Sequence, residues 1–180
     1  MTLDALPRVR RVLTAIDSDG QSHIALDGPT PAGFALPGSP FRSDNIWRTG
    51  AAPSPVMAAD DIVAHSGVCP PPGGTVLRVI DFPPQQGSRA EQAALAGQVF
   101  KLLYPDARHL PSERSAGMHE TDTIDYAIVL AGELWAVMDK DETLLKVGDI
   151  LIQRGTNHSW ENRSAAMARV AFVLIDGTRS

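Results

Sequence analysis

The chain has 180 residues, of which 43% are apolar and 21% charged, and its formal net charge is −5 at neutral pH. This length predicts one domain with room for a buried core, and the acidic balance with scattered arginines argues against a nucleic-acid partner. No apolar run approaches the ~20 residues of a membrane-spanning helix, so no membrane association is expected. The single cysteine, Cys69, excludes an internal disulfide and favours a cytoplasmic location.

The first half of the chain contains short strand signals separated by turns. The whole chain contains 15 glycines and 14 prolines, and this density favours many short elements over long helices. Residues 9–16 and 23–26 flank an Asp-Ser-Asp-Gly turn, which predicts a β-hairpin. The Pro- and Gly-rich residues 28–40 are predicted to form a loop, and a short strand is expected at 45–48.

A strand and one helix are predicted next. Residues 75–82 are β-prone and are bounded by two glycines before and two prolines after. Ser88 followed by Glu91 has the spacing of a helix-capping box, and apolar residues follow at helical intervals. The helix is expected to end at Pro105.

The last third of the chain predicts a closely spaced series of strands. Short loops containing Gly, Asn, Asp or Ser separate them, which indicates an antiparallel barrel or sandwich. The predicted strands are 124–130, 133–138, 143–146, 150–153, 159–161 and 169–175.

Two segments of this last third carry a resemblance to a known family. Met118-His119-Glu120-Thr121-Asp122-Thr123-Ile124-Asp125-Tyr126, with Val-Leu-Ala-Gly-Glu after it, resembles the first motif of the cupin superfamily. Residues 148–162 resemble the second motif. The resemblance implies an all-β double-stranded β-helix, or jelly roll, here with an N-terminal strand extension and one helix. This fold serves dioxygenases, decarboxylases, isomerases, dehydratases and non-catalytic binders alike.

The resemblance also implies a domain organisation. Residues 111–180 are expected to form the barrel core of a single domain, and residues 1–110 to supply strands, loops and the helix that pack on it. Because cupins often pair through such extensions and C₂ dimers are common, a homodimer is expected.

Cupins that hold a metal usually take two histidines and a carboxylate from the first motif and one histidine from the second. Position by position, His158 falls at the second-motif histidine and Asp125 at the carboxylate, while only His119 fills a place of the paired histidines. These three side chains can ligate a divalent metal, with iron, zinc, manganese or nickel as candidates. Residues 119 and 125 share strand parity, so both would point into an unbulged barrel.

Glu120 has the opposite parity and becomes a ligand only if a β-bulge resets the register. Whichever of His119 and Glu120 is not a ligand is expected to shuttle a proton as the catalytic group. Gln153, Trp160 and Tyr126 are the candidate pocket residues, although aromatic side chains on strands also serve as core filler.

The leading prediction is a metal-dependent enzyme that acts on a small organic acid or ring compound, with dioxygenation, decarboxylation and dehydration or isomerisation all open. One alternative has no metal, and His119 and Asp125 then work as an acid–base pair. Another is a non-catalytic pocket that binds a small molecule. His23, His65 and His109 lie in predicted turns and are expected at the surface.

Overall fold

The structure is a computed structural model and describes residues 5–179. The described residues form strands, one α-helix and a short 3₁₀ turn at Ile62–Ala64. The helix, α1, spans Arg89–Leu103. The strands are Arg10–Ile16 (β1), Ser22–Pro29 (β2), Ala32–Ala35 (β3), Arg42–Thr49 (β4), Thr75–Phe82 (β5), Arg108–His109 (β6), His119–Glu120 (β7), Thr123–Ala131 (β8), Glu133–Met138 (β9), Glu142–Lys146 (β10), Ile150–Arg154 (β11), His158–Glu161 (β12) and Ala168–Asp176 (β13).

Two antiparallel sheets enclose the core. One has six strands in the order β11-β8-β13-β5-β4-β3, and the other has five in the order β10-β9-β12-β7-β6. From β7 to β13 the chain passes repeatedly from one sheet to the other, with the β9–β10 hairpin staying in the five-stranded sheet; this winding is that of a double-stranded β-helix and confirms the predicted fold class. The β1–β2 hairpin forms a separate two-stranded sheet.

The first half of the chain builds part of both sheets. Strand β5 lies between β13 and β4 in the six-stranded sheet, and β6 forms one edge of the five-stranded sheet. Strands from before and after residue 110 therefore share one hydrophobic core. The boundary at residue 110 stays a prediction.

Most strand and helix predictions agree with the structure, but one loop prediction is wrong. Residues 32–35, Ala-Gly-Phe-Ala, have weak strand propensity, yet they form β3 by pairing with β4 at the edge of the six-stranded sheet. Pairing with a formed neighbour supplies the backbone hydrogen bonds that the local sequence does not predict.

Strand β8 shows how the sequence pattern builds the core. Alternate side chains of this strand, including Ala127 and Val129, are buried, while Ile124 and Leu130 are on the outer face. The turn after β8 requires a glycine: Gly132 has a φ of +66°, and a Cβ there would lie 2.5 Å from a backbone carbonyl oxygen.

Helix α1 lies over the space between the sheets. Ser88 and Glu91 form the predicted capping box, in which the Glu91 carboxylate accepts from the Ser88 backbone N–H at 2.7 Å. The helix ends at Leu103, just before Pro105 as predicted. Phe100 is the buried residue of its inner face. Within residues 5–179, no helix combines the length and apolar character needed to cross a membrane.

Candidate functional site

A cavity of about 480 Å³, called the main cavity below, lies between the two sheets and under α1. Its walls are largely apolar and include Phe41, Ile80 and Phe172. A small number of polar side chains converge on it, among them His119, His158, Asp125 and Arg78. An apolar cavity with a few polar groups is the usual form of a small-molecule site.

His119 and His158 are direct cross-strand neighbours on β7 and β12, and their ring centroids are 4.2 Å apart. Nδ1 of His119 donates to the Gly117 carbonyl at 2.8 Å, and Nδ1 of His158 donates to the Thr156 carbonyl at 2.9 Å. With Nδ1 protonated, Nε2 of each neutral ring is an acceptor.

Burial keeps both imidazoles neutral. It lowers the pKa of His119 to about 4 and, together with the charge repulsion of its neighbour His119, lowers that of His158 to about 3. A neutral pair suits the short separation, since two imidazolium ions at this distance would repel each other.

Helix α1 reaches the histidine pair through Phe100. The Phe100 ring stacks on His109 at 4.2 Å between centroids and contacts the His119 ring at 4.9 Å. Nε2 of His109 donates to the Ala116 carbonyl at 2.8 Å. His109 is therefore packed beneath the helix and is not the surface residue that the sequence suggests.

Asp125 approaches the main cavity from the opposite sheet. Its side chain on β8 is buried, and its Oδ1 has no hydrogen-bond partner among the described residues. Burial raises the pKa of Asp125 to about 6, and a hydrogen bond from Thr123 and the charge of Arg78 limit the rise. Asp125 therefore titrates near neutral pH, whereas the histidines do not.

The predicted metal triad of His119, Asp125 and His158 is not assembled. Within residues 5–179, no three His, Cys, Asp or Glu side chains are grouped closely enough to hold a metal ion. Both histidines belong to the five-stranded sheet and Asp125 to the six-stranded one, and all three side chains line the main cavity. The described side chains supply a histidine pair, which falls short of the three-ligand set that the cupin resemblance implies.

Residues 119 and 125 both line the main cavity, as their shared parity predicts, but they do so from different sheets. The chain leaves the five-stranded sheet after Glu120 and enters the six-stranded sheet at Thr123, so the two positions do not lie on one strand. Glu120 points away from the main cavity and pairs with Arg108 and, at 3.2 Å, with Arg179. The Glu120 side chain is therefore not among the residues that line the main cavity with the histidines.

The three candidate pocket residues have different positions. Trp160 lines the main cavity, with its ring 5.3 Å from that of His158. Tyr126 lies on the outer face of β8 and is 40% exposed, because it alternates with Asp125. Gln153 is buried behind the cavity wall, where its Oε1 accepts from the Thr156 hydroxyl. Of the three, only Trp160 is among the residues that line the main cavity.

Arg78 lines the main cavity and lies outside the predicted set of site residues. Arg78 is buried on β5, and the Tyr104 ring packs 5.0 Å from its guanidinium carbon. Arg78 alternates with the buried Val76 and Ile80 along β5. An arginine at an inward position of an apolar strand is the sequence feature that could have identified it as a cavity residue. His65 contacts this guanidinium and is partly buried, which corrects its predicted surface position.

No family model matches the chain. The chain is 32% identical over 174 residues to the phomopsin biosynthesis cluster protein C' of Diaporthe leptostromiformis, covering 92% of this chain and 77% of that protein. It is 26% identical over 178 residues to the cupin-domain-containing oxidoreductase fogC of Aspergillus ruber, covering 95% and 74% of the two chains. Among solved structures, a Cupin 2 conserved barrel domain protein from Salinispora arenicola has a TM-score of 0.42 and 12% identity, over 79% of this chain and 82% of that one.

The likeness to the two fungal proteins extends over nearly the whole chain and is not confined to the motif-bearing third. The observed winding of the strands is that of the double-stranded β-helix, and the two motif histidines are neighbours in the wall of one cavity. Sequence, topology and the placement of the motifs agree: the chain belongs to the cupin superfamily.

Proposed function

We propose that this protein is an enzyme that binds a small organic molecule in the main cavity and moves a proton on it, as a dehydratase or an isomerase does. The observation that carries the proposal is Asp125, a buried, cavity-lining residue whose carboxyl group has a pKa of about 6 and an oxygen, Oδ1, with no hydrogen-bond partner among residues 5–179. A positioned base is most effective when its pKa lies near the working pH.

In this proposal the Asp125 carboxylate removes a proton from a carbon atom next to a carbonyl or carboxyl group of the substrate. The electron pair of the broken C–H bond forms a carbon–carbon double bond as the C=O π pair moves onto the oxygen. In an isomerisation the oxygen pair re-forms the C=O bond and protonated Asp125 delivers the proton to another carbon of the conjugated system. In a dehydration the C–O bond to the neighbouring hydroxyl group breaks, its electron pair leaves with the oxygen, and protonated Asp125 delivers the proton to that oxygen to release water. Neither outcome needs an electron acceptor.

The histidine pair has a separate role. Nε2 of His119 and of His158 can each accept a hydrogen bond, because both Nδ1 atoms already donate to backbone carbonyls. With pKa values of about 4 and 3, these rings are weak bases near neutral pH. They therefore orient a hydroxyl or amide group of the substrate while Asp125 moves the proton.

The relatives support an enzymatic role in small-molecule biosynthesis. One is named for a biosynthesis cluster and another as an oxidoreductase. The second name motivates a second candidate, a metal-dependent oxidoreductase. One observation favours it: a backbone carbonyl holding Nδ1, with Nε2 left free, is the arrangement around many metal-bound histidines. Iron, zinc, manganese and nickel remain the candidate metals of that alternative.

Proton abstraction can be tested without the natural substrate. The probe 5-nitrobenzisoxazole opens to a coloured cyanophenolate when a base removes its C–H proton. We expect the wild-type protein to catalyse this opening about 100-fold faster than Asp125→Asn, a ratio typical of a positioned base. The rate should rise as the pH increases through about 6, since the carboxylate is the active form.

The exposed Asp141 provides the matched control, because Asp141→Asn makes the same chemical change away from the cavity. Its rate should equal that of the wild type. Equal rates in wild type and Asp125→Asn would overturn the proton-transfer proposal. Elemental analysis of the same preparations tests the second candidate: one metal per chain, lost in His119→Gln and in His158→Gln, would support it.

A further inference from the structure

Arg78 is a buried cation that forms no ion pair with the described residues. Its side chain on β5 is 1% exposed, and it alternates with Val76 and Ile80 on the inward face of the strand. Within residues 5–179, no Asp or Glu lies within ion-pair distance of its guanidinium. Removing an unpaired charge from water costs several kcal/mol, so this arrangement needs a compensating partner.

The hydrogen-bond partners of Arg78 are neutral groups. Its Nε donates to the Asn45 side-chain oxygen at 2.8 Å, and its Nη2 donates to the Gly67 carbonyl at 2.7 Å and to Nε2 of His65 at 3.2 Å. Burial and the charge of Arg78 lower the pKa of His65 to about 4, so this ring is neutral as well. The positive charge of Arg78 is oriented by these contacts and is not neutralised by them.

The remaining nitrogen, Nη1, is buried and has no partner among the described residues. Nε and Nη2 share one edge of the planar guanidinium, so Nη1 lies on the opposite edge. The three partners of the first edge line a separate, smaller cavity of about 230 Å³. Arg78 lines both cavities, and Nη1 is its one guanidinium nitrogen without a partner among the described residues. Its positive charge also lowers the pKa of Asp125 in the main cavity.

From these contacts we infer that Arg78 binds an anionic oxygen of the ligand, and that the ligand is a carboxylate with an apolar body. The inference rests on the proposed function, because it assigns a substrate class to the same cavity. Within residues 5–179, Arg78 is the one Lys or Arg side chain lining the main cavity, and it offers one free nitrogen. A single donor suits a carboxylate, whereas a phosphate dianion requires several donors. The apolar walls supply contacts for an aromatic or alkyl group.

Arg78 also has a place in the proposed chemistry. A carboxylate held by Nη1 positions the carbon atoms beside it toward Asp125, which lines the same cavity. When a proton leaves the adjacent carbon, negative charge builds on the carboxylate oxygens. A cation fixed by Asn45, Gly67 and His65 stabilises that charge without having to rearrange.

Isothermal titration calorimetry with matched acid and amide probes tests the inference. The pairs are 2-naphthoate with 2-naphthamide and decanoate with decanamide, which differ mainly in the charge of the head group. We expect each wild-type carboxylate to bind about tenfold tighter than its amide, as a charge-assisted hydrogen bond implies. Arg78→Gln should abolish this preference, while Arg10→Gln, on the exposed hairpin, should preserve it.

Equal affinities for acid and amide in the wild type would overturn the inference even if Arg78→Gln does not fold. Failure of both carboxylates to bind at about 5 mM would overturn it too. Asp125→Asn separates this inference from the proposed enzymatic function. If that variant keeps the carboxylate preference and also opens 5-nitrobenzisoxazole at the wild-type rate, the proton-transfer role fails and the binding role of Arg78 stands.

Discussion

Within one cavity, burial acts in opposite directions on an acid and on two bases. It raises the pKa of Asp125 and lowers those of His119 and His158, because the neutral form of each group is favoured away from water. The result is a carboxyl group that exchanges protons near neutral pH beside imidazoles that do not. Separate roles for the two residue types follow from this difference.

Burying Asp125 has a cost in folding stability. Its pKa of about 6 lies above its ordinary value of 3.8, so the folded state binds the proton more tightly than the unfolded state. Stability is therefore lost as the pH rises from about 4 through 6. We expect Asp125→Asn to be more stable than the wild type at pH 8, by about 3 kcal/mol, and to show no such gain near pH 4. Urea unfolding at both pH values measures this.

The control for this comparison is Asp141→Asn, whose effect should be small and independent of pH because Asp141 is exposed. If Asp125→Asn were less stable than the wild type at pH 8, the burial cost assigned to this carboxyl group would be incorrect.

At the scale of the elements, local sequence predicted most of what the second half of the chain forms. Each predicted strand there agrees with an observed one to within about two residues, since short polar turns bound the strands. Strand β3 was missed because pairing with β4 creates it. His119 and His158 lie side by side because β7 pairs with β12, in agreement with the placement that the two sequence motifs predicted.

Local patterns indicate that Asp125 and Arg78 point inward, but they do not indicate which residues of other strands each one faces. The change of sheet between β7 and β8 put Asp125 opposite the histidines. Arg78 reaches the cavity because β5, far from either motif in sequence, pairs with β13 at the centre of the six-stranded sheet. Both placements are consequences of long-range strand order.

Helix α1 depends on its N-terminal cap. Ser88 accepts from the Glu91 backbone N–H, and Glu91 accepts in return from the Ser88 backbone N–H. We expect Ser88→Ala to lower the free energy of unfolding by about 1 kcal/mol. Chemical denaturation measures the loss, and Ser18→Ala in the exposed hairpin turn is the control. An unchanged midpoint in Ser88→Ala would show that the cap contributes nothing to stability.

For the whole molecule, two apolar surfaces lack a covering element within residues 5–179. One is the β1–β2 hairpin, with Ile16 and Ile24 more than half exposed. The other is the outer face of β8 and β11, where Ile150, Ile152 and Tyr126 are exposed. Apolar surfaces of this kind commonly mark protein interfaces. We therefore expect the hairpin of one chain to cover the sheet face of a second copy in a homodimer.

Light scattering should give a solution mass about twice the 19.2 kDa of the chain. Ile152→Lys places a charge on the proposed interface and should shift the mass toward that of a monomer. Leu102→Lys makes the same type of change at an exposed position on helix α1 and should leave the mass unchanged. A wild-type protein of monomer mass would exclude the dimer.

The origin of β5 in the first half of the chain has a consequence for how such proteins diversify. The motif-bearing strands carry Asp125 and the histidine pair, while β5 carries the guanidinium and residues 36–41 supply part of the opposite rim. With the roles proposed for Asp125 and Arg78, reaction chemistry and ligand choice would be encoded in different stretches of the gene. If related chains exchanged this N-terminal stretch, we expect Asp125 and the histidine pair to stay the same while the cavity binds molecules of another shape or charge.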